Sequence, residues 1–339
     1  ALSRRAPATI TSDRARPILA QGIASGDVTP DGAVIWSRAD RPSKMHVHWS
    51  THSDFRDLRR IKGPEVLGLN DFTGQVGIRQ LPPGQEIFYR VLFEDLRKGA
   101  WSAPHEGRLI TPGADGRGPV SFCWSGDTGG QGFGINPKMG GMKIFDAIRQ
   151  RKPNAFVHCG DVVYADSTFR ERKKLDDGRI WHNIVTPAKT KVAETLAEFR
   201  GQYRYNLIDE NLRRLGSEVP QVFLWDDHET KNNWFPGRRL DDHRYTVKSC
   251  DLLSARARQA FFDYLPIARH MEEPGRIYRK LSHGPLLDIF VLDGRSYRGP
   301  NNPNSQRQPG PTSAFFGDAQ LQWLCQSLKR SKATWKAIA

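Results

Sequence analysis

The spacing of apolar residues changes near residue 111, and this change divides the chain into two parts of different fold class. Between residues 20 and 111, apolar side chains recur with a period of two, as they do at Ile87, Tyr89, Val91 and Phe93. This period is typical of half-buried strands, and turn sequences such as Pro82-Pro83-Gly84 separate them. Because this part contains several strands and no helical period, we predict a small all-β sandwich at residues 20–112.

A Gly- and Pro-rich linker at residues 111–119 is followed by strand-like segments that alternate with helix-like ones. A buried strand is predicted at residues 120–124, and further strands are predicted at residues 155–158, 222–225 and 286–292. Apolar residues at spacings of three and four predict an amphipathic helix over residues 192–207, with a basic outer face. This order is typical of an α/β domain, which we place at residues 119–339. The polar residues 1–19 are expected to form an extended N-terminal arm.

The composition excludes several classes of protein. Hydrophobic residues make up 38% of the chain and Gly adds 31 positions, so a soluble globular protein is expected. No apolar run approaches the roughly 18–20 residues of a transmembrane helix. Four Cys without paired C-x-x-C spacing argue against a disulfide scaffold and a structural zinc site. Mixed polar residues follow Arg4 and Arg5, so we expect no signal peptide, as in an already processed mature chain.

The chain is strongly basic, since 51 Lys and Arg against 37 Asp and Glu give a formal charge of +14. The basic residues are scattered among acidic ones and lack the interleaved aromatic residues of a nucleic-acid-binding surface. We therefore expect no specific nucleic-acid partner, although a basic nucleic-acid binder is an alternative that rests on the charge alone. A solubilising surface explains the charge, and attraction of an anionic substrate is the sharper hypothesis.

Three predicted strands end in motifs with acidic residues: Ser125-Gly126-Asp127, Gly160-Asp161-Val162-Val163-Tyr164-Ala165-Asp166 and Trp225-Asp226-Asp227-His228-Glu229. Since the carboxyl ends of strands in an α/β sheet open into one crevice, we expect these carboxylates to converge. Crowded carboxylates repel one another and need cations between them. Asp oxygens suit hard or borderline metal ions, and a phenolate suits a strongly Lewis-acidic ion such as ferric iron. Two ions could clamp a phosphate and activate water, with His228 protonating a leaving oxygen or stabilising the transition state.

Each motif also has an ordinary structural explanation. A Gly-Asp pair after a strand is commonly a turn, and a lone Tyr is commonly a core or surface residue. An Asp-Asp-His-Glu stretch suits a solvated turn with a helix N-cap. The occurrence of all three motifs at successive strand ends favours the metal site.

At these motifs the sequence resembles a known family. The order Gly-Asp, Gly-Asp-x-x-Tyr and Asp-His-Glu is similar to the calcineurin-like metallophosphoesterases, and Tyr164 after Asp161 is similar to the purple acid phosphatases. The longer strings at residues 122–132, 225–229 and 292–298 resemble the alkaline phosphatase D (PhoD-like) family. The resemblance covers about residues 20–339 and implies a four-layer metallophosphoesterase-like sandwich with flanking helices, of α/β class. A small fibronectin- or immunoglobulin-like β domain would precede it.

The resemblance also implies roles for particular residues. Asp127 and Asp161 would hold a dinuclear metal centre, with Asp161 bridging the ions, and Tyr164 would be a phenolate ligand to iron. Asp227 stands where many metallophosphoesterases have the Asn of Gly-Asn-His, and it would be a further metal ligand. His228 matches the catalytic His of that motif. The cofactors implied are two or more metal ions, Fe³⁺ with Ca²⁺ or another divalent ion.

Some positions depart from the family pattern or leave alternatives open. Some family members have a Cys iron ligand where this chain has Asp127, so an ordinary two-metal set is an alternative to iron with calcium. Arg295 is expected to contact substrate or brace the site, and a structural pair with Asp293 is the alternative. Family members continue past the Trp335–Ala339 segment to a late Asp-x-His motif, so we expect the second domain to be incomplete at its C-terminus.

The sequence thus predicts a metal-dependent alkaline phosphatase or phosphodiesterase that hydrolyses phosphate esters through two-metal activation of water. One alternative is an anion-binding protein with impaired catalysis, because its metal site would be incomplete. Another is a phospholipase D-like diesterase. The resemblance implies a periplasmic or secreted location. The physiological ester, the metal pair and the oligomeric state are left open.

Overall fold

The computed structural model describes residues 12–115, 118–303 and 305–339. Residues 1–11 of the predicted N-terminal arm and residues 116–117 of the predicted linker lie outside the described residues. The strands are β1 (Ile23–Thr29), β2 (Gly32–Arg38), β3 (Ser43–Ser50), β4 (Arg59–Val66), β5 (Thr73–Arg79), β6 (Glu86–Asp95), β7 (His105–Ile110), β8 (Phe122–Ser125), β9 (Ala155–Cys159), β10 (Arg172–Lys174), β11 (Ile180–His182), β12 (Gln221–Leu224), β13 (Arg279–His283), β14 (Leu287–Val291) and β15 (Trp335–Ile338). The α-helices are α1 (Lys143–Gln150), α2 (Leu196–Asn206), α3 (Glu210–Glu218), α4 (Cys250–Tyr264) and α5 (Asp318–Arg330). None of these helices is both long and apolar enough to cross a bilayer.

The N-terminal strands form two facing layers around a shared apolar core. One layer is a sheet with the order β4-β3-β6-β7, and the other consists of β5, β2 and β1. Buried and partly exposed residues alternate along β6 without interruption, which confirms the predicted period of two. The core between the layers includes Ile35, Val47, Val76 and Val91, all with little or no exposed surface. An all-β sandwich therefore forms where the alternation predicts one.

This sandwich shares a sheet with the second part of the chain. Strand β1 pairs in parallel with β12, so the strand order of the central sheet is β5-β2-β1-β12-β9-β8. Gly26 of β1 lies opposite Gln221 of β12, and a Cβ atom on Gly26 would come within 2.4 Å of the Pro266 carbonyl oxygen. Only Gly permits so close an approach of the two backbones. The predicted domain boundaries at residues 112 and 119 remain predictions.

Polar contacts also join the two parts. The carboxylate of Asp27, on β1, accepts hydrogen bonds from Nε and Nη2 of Arg279, on β13, at 2.8 and 2.6 Å. Both side chains are largely buried. Nε1 of Trp36, on β2, donates to the carbonyl oxygen of Asp263 at the end of α4 at 2.7 Å. The N-terminal sandwich is thus attached to the framework that carries the strand-end motifs.

The second part is built from four layers. Helices α1 and α3 cover one face of the central sheet through Phe145, Phe156 and Leu215. The other face packs against the sheet β13-β14-β15 through an apolar cluster that includes Val157 and Ile289. Helix α5 covers the outer side of β14. The predicted fold class, an α/β sandwich of two sheets with flanking helices, is confirmed.

Two details of the sequence analysis are wrong. Strand β8 is not buried, because it lies at the edge of the central sheet, where Trp124 is 73% exposed. The helix predicted at residues 192–207 begins only at Leu196, where Thr195 accepts a hydrogen bond from the Glu198 backbone as an N-cap. The predicted basic outer face is also wrong, because α2 packs against α4 and Arg200 is buried. Nη2 of Arg200 lies 2.7 Å from Oδ2 of Asp263.

Candidate active site

Three adjacent parallel strands bring the acidic motifs to one edge of the central sheet. Strand β9 pairs in parallel with both β8 and β12, and Asp127, Asp161 and Asp227 follow these three strands within three residues of their ends. The loops are joined directly, since the backbone N–H of Asp127 donates to the Gly160 carbonyl oxygen at 3.1 Å. The predicted convergence of the motifs follows from this parallel order.

The loops after β8 and β9 turn sharply. Asp127 and Asp161 have φ angles of 60° and 54°, in the left-handed region that Asp tolerates better than most residues. Gly160 has a φ of 95°, and a Cβ atom there would lie 2.7 Å from Cβ of Asp226. Gly160 therefore allows the loop that carries Asp161 to lie directly against the motif that carries Asp227.

Asp161, Asp227 and His228 form a group that could hold a metal ion. Each offers a ligand atom, and the three atoms lie within 4.8 Å of one another. Burial raises the pKa of Asp161 to about 7, with the charges of Asp227 and Asp226 acting in the same direction and His228 opposing them. Negative charge is thus concentrated at a buried point, which is the electrostatic condition that a cation would relieve.

Tyr164 connects this group to Asp127. Its hydroxyl donates a hydrogen bond to Oδ2 of Asp127 at 3.1 Å, whereas Asp127 itself is exposed and lies outside the group formed by Asp161, Asp227 and His228. Burial and the neighbouring Asp161 and Asp127 carboxylates raise the pKa of Tyr164. The phenol is therefore neutral unless a strongly charged cation binds beside it. Gly130 permits the loop after Asp127 to lie flat against the Tyr164 ring, because a Cβ atom would come within 2.6 Å of it.

The ring of His228 is held on two sides. It stacks on the Tyr164 ring with centroids 4.3 Å apart, and its Nδ1 atom lies 2.7 Å from Oδ1 of Asp166. A carboxylate can only accept, so Nδ1 carries the proton and Nε2 is the free ring nitrogen. Burial acts to lower the pKa of His228, but the Asp166 hydrogen bond and charge outweigh it and the pKa is raised.

Sequence reasoning assigned no role to two carboxylates that assemble the site. Asp166 fixes His228 and also accepts a hydrogen bond from the Asn232 backbone at 2.8 Å. Glu229, 1% exposed, accepts hydrogen bonds from the backbone N–H groups of Val162 at 2.6 Å and Asp226 at 2.9 Å. It thereby joins the second motif to the third. Asp166 and Glu229 lie in the same short motifs as Asp161 and His228, and this position in the sequence is the signal that could have identified them.

Arg295 lies beside the carboxylates and does not form the alternative pair. Its Nε donates to Oδ1 of Asp226 at 2.6 Å, and its Nη2 lies 3.6 Å from Oδ2 of Asp227. The Asp293 carboxylate instead accepts from Nε1 of Trp225 at 2.8 Å and from the Arg295 backbone N–H at 3.0 Å. The alternative prediction of a side-chain pair between Arg295 and Asp293 is therefore wrong. Arg295 instead braces the carboxylates of Asp226 and Asp227.

Two family models match this chain, and together they cover both of its parts. The model described as "PhoD-like phosphatase" matches residues 122–339, and the model of the N-terminal domain of the same family matches residues 4–113. The chain belongs to the PhoD-like phosphatase family. Every candidate site residue named above lies within the stretch that the first of these models matches.

Relatives of known name extend this result. The chain is similar to alkaline phosphatase D of Bacillus subtilis (strain 168), with 26% identity over 94% of this chain and 54% of that protein. It therefore spans about half the length of the curated relative. In fold it is similar to the structure of PhoD, with a TM-score of 0.77 and 23% identity over 98% of this chain and 63% of that one.

A purple acid phosphatase structure shares the same architecture. The purple acid phosphatase isolated from yellow lupin (Lupinus luteus) seeds matches with a TM-score of 0.58 and 14% identity, over 95% of this chain and 50% of that one. At this identity the likeness shows the fold alone. It confirms that the PhoD-like chain has the metallophosphoesterase-like sandwich that the sequence motifs predict.

Proposed function

We propose that this PhoD-like protein hydrolyses phosphate esters with the help of bound metal ions. The observation that carries the proposal is the position of Asp161, Asp227 and His228, whose ligand atoms lie within 4.8 Å of one another beside the Arg295 guanidinium. Carboxylate oxygens suit di- and trivalent ions, and a guanidinium suits phosphate. The family model described as PhoD-like phosphatase and the similarity to alkaline phosphatase D support the same activity.

The residues at this edge of the sheet fit a metal centre. Asp161, Asp227 and Asp127 would hold the ions through their carboxylates. Tyr164 would supply a phenolate oxygen, a donor that favours ferric iron over Ca²⁺. Fe³⁺ with Ca²⁺ or another divalent ion is our first expectation, and a pair of ordinary divalent ions is the alternative. Such ions, when bound, polarise a phosphate oxygen and lower the pKa of a bound water.

The chain's own residues would orient the ester and handle the proton. Arg295 would contact a non-bridging oxygen of the phosphate, since its Nη1 atom is buried and has no protein partner among the described residues. His228 would donate the proton to the leaving oxygen through its imidazolium form, which Asp166 stabilises. Because Asp166 holds Nδ1, the Nε2–H of that imidazolium is the group available for the transfer.

The test is hydrolysis of 4-nitrophenyl phosphate and of bis(4-nitrophenyl) phosphate at alkaline pH after metal loading. Asp161→Asn should lower kcat/KM by about 10²-fold or more and reduce the bound metal per chain. Asn is chosen because it also tolerates the left-handed φ at this position. Asp57→Asn is the matched control, since Asp57 has a φ of 55° and is exposed in the N-terminal sandwich.

Each outcome selects between the hypotheses. Turnover that survives Asp161→Asn at the control's level would contradict the metal mechanism. Phosphate binding without turnover would favour the anion-binding protein, and turnover of the diester alone would favour a phospholipase D-like diesterase. A periplasmic or secreted location remains a prediction.

A further inference from the structure

Within the part of the chain that the structure describes, the loop after β14 carries three buried polar atoms without a partner. Nη1 of Arg295, Oγ of Ser296 and Nε of Arg298 have no hydrogen-bond partner among the described residues. All three can act as donors, and they fall within four consecutive residues. A buried donor without an acceptor is destabilising, so most such groups in folded proteins find one. The clustering of three in one loop points to an acceptor that is a ligand.

Other contacts hold this loop in place. Oδ1 of Asp293 accepts hydrogen bonds from the backbone N–H groups of Arg295 and Ser296 at 3.0 and 2.9 Å. The backbone N–H of Asp293 in turn donates to the Gln320 side chain of α5 at 2.8 Å. The three unpartnered donors therefore do not result from a loose segment. They project from a loop whose backbone is fixed.

The two guanidinium groups are held in different ways. The Arg295 edge formed by Nε and Nη2 faces Asp226 and Asp227, which leaves Nη1 as its unpaired end. The guanidinium of Arg298 lies over the Phe315 ring, 4.8 Å from its centroid. Burial and the nearby charge of Arg295 lower the pKa of Arg298, while Asp226 and Asp227 oppose them. Both guanidinium groups belong to the same loop, and each keeps one buried N–H without a protein acceptor among the described residues, which favours an anion as the acceptor.

We propose that Arg295, Ser296 and Arg298 form an oxyanion pocket that binds the non-bridging oxygens of a tetrahedral phosphate group. This inference rests on the proposed function and assigns binding roles to Ser296 and Arg298. Guanidinium groups supply charged donors in a planar array, and the Ser hydroxyl supplies a neutral one. The pocket lies next to the candidate metal ligands, because its member Arg295 also contacts Asp227.

The test measures inorganic phosphate binding in two ways, as competitive inhibition and as a shift in thermal midpoint that needs no turnover. Arg298→Gln should raise the inhibition constant of phosphate about tenfold or more, because a hydrogen bond to a charged group is lost. The inhibition constant of Arg298→Lys should lie between those of wild type and Arg298→Gln, since Lys retains the charge without the planar donors. Ser296→Ala should raise the constant about fivefold, as expected for loss of one neutral hydrogen bond.

Arg90→Gln is the matched control, since Arg90 also lies over a Phe ring, at 4.7 Å from the centroid of Phe55, but in the N-terminal sandwich. If Arg298→Gln binds phosphate as tightly as this control does, the proposed pocket is wrong, even if the protein hydrolyses esters. If Ser296→Ala stabilises the free protein and leaves phosphate binding unchanged, Ser296 does not belong to the pocket. If Arg298 governs phosphate binding but wild type hydrolyses no ester, the pocket stands and the proposed function falls.

Discussion

Asp166 and His228, 62 residues apart in the chain, are joined by a contact of 2.7 Å between Oδ1 and Nδ1. This contact fixes both the orientation of the imidazole and the ring nitrogen that holds its proton. Asp166 is itself buried and does not belong to the group that could hold a metal ion. It is therefore a positioning residue that acts through His228.

Asp166→Asn should lower kcat for 4-nitrophenyl phosphate by about 10²-fold or more while KM changes little, because the amide no longer selects the correct tautomer of His228. The measurement is steady-state kinetics on protein with unchanged metal content. Asp146→Asn on α1, whose carboxylate pairs with Arg149 at the surface, is the control. Equal kcat values for the two variants would show that His228 does not depend on Asp166.

Tyr164→Phe should abolish a visible absorption band in the iron-loaded protein, since a phenolate bound to ferric iron gives a charge-transfer band that a phenyl ring cannot give. The comparison uses visible spectra together with elemental analysis. Tyr245→Phe is a suitable control, because Tyr245 is buried and its hydroxyl has no partner among the described residues. A band that persists in Tyr164→Phe would exclude Tyr164 as an iron ligand.

Asp27→Asn should destabilise the protein by about 3–5 kcal/mol, because it leaves Arg279 as an unpaired charge in a largely buried position. Urea denaturation of the variant and of wild type measures the difference. Asp40→Asn breaks a more exposed pair with Arg41 and should cost about 1 kcal/mol or less. Similar losses for both variants would mean that the contact between β1 and β13 contributes little.

The stability of the protein should fall as the pH drops from about 6.5 to about 4, in part because of His283. Burial lowers the pKa of His283 to about 4, against the opposing charge of Asp288. Between these pH values the unfolded chain binds the proton and the folded protein does not, so the contribution is complete above pH 6.5 and is lost toward pH 4. His283→Phe should therefore reduce the loss of stability across this range by up to about 3 kcal/mol.

Denaturation curves at pH 7 and pH 4.5 measure this effect. His270→Phe is the control, because it replaces a partly exposed His by the same side chain. The same acid sensitivity in His283→Phe as in wild type would assign the loss to other groups.

Local patterns were sufficient to predict the strands that carry the site. The apolar runs at residues 155–158 and 222–225 correspond to β9 and β12 within a residue. The acidic motifs converge because these strands are parallel neighbours, which alternation of strands and helices already favours. Here the sequence pattern and the three-dimensional arrangement depend on the same short segments.

Pairings between distant residues could not be predicted in this way. The burial of Arg200 depends on Asp263 in α4, and nothing in the α2 sequence marks Arg200 as different from a surface residue. Likewise, its place beside His228 marks Glu229 as a residue of the site, but its hydrogen bonds to the backbone of Val162 and Asp226 form only after the loops have folded. These roles are set by tertiary contacts, which a helical or strand period does not encode.

Gly26 has a consequence for how such proteins can be recombined. The N-terminal sandwich and the part that carries the acidic motifs match separate family models, so they look like exchangeable modules. However, β1 and β12 meet where Gly26 faces Gln221 and the Pro266 carbonyl with no room for a Cβ atom. A chimaera assembled from two relatives would have to inherit both sides of this contact, and a cut in the linker would separate them.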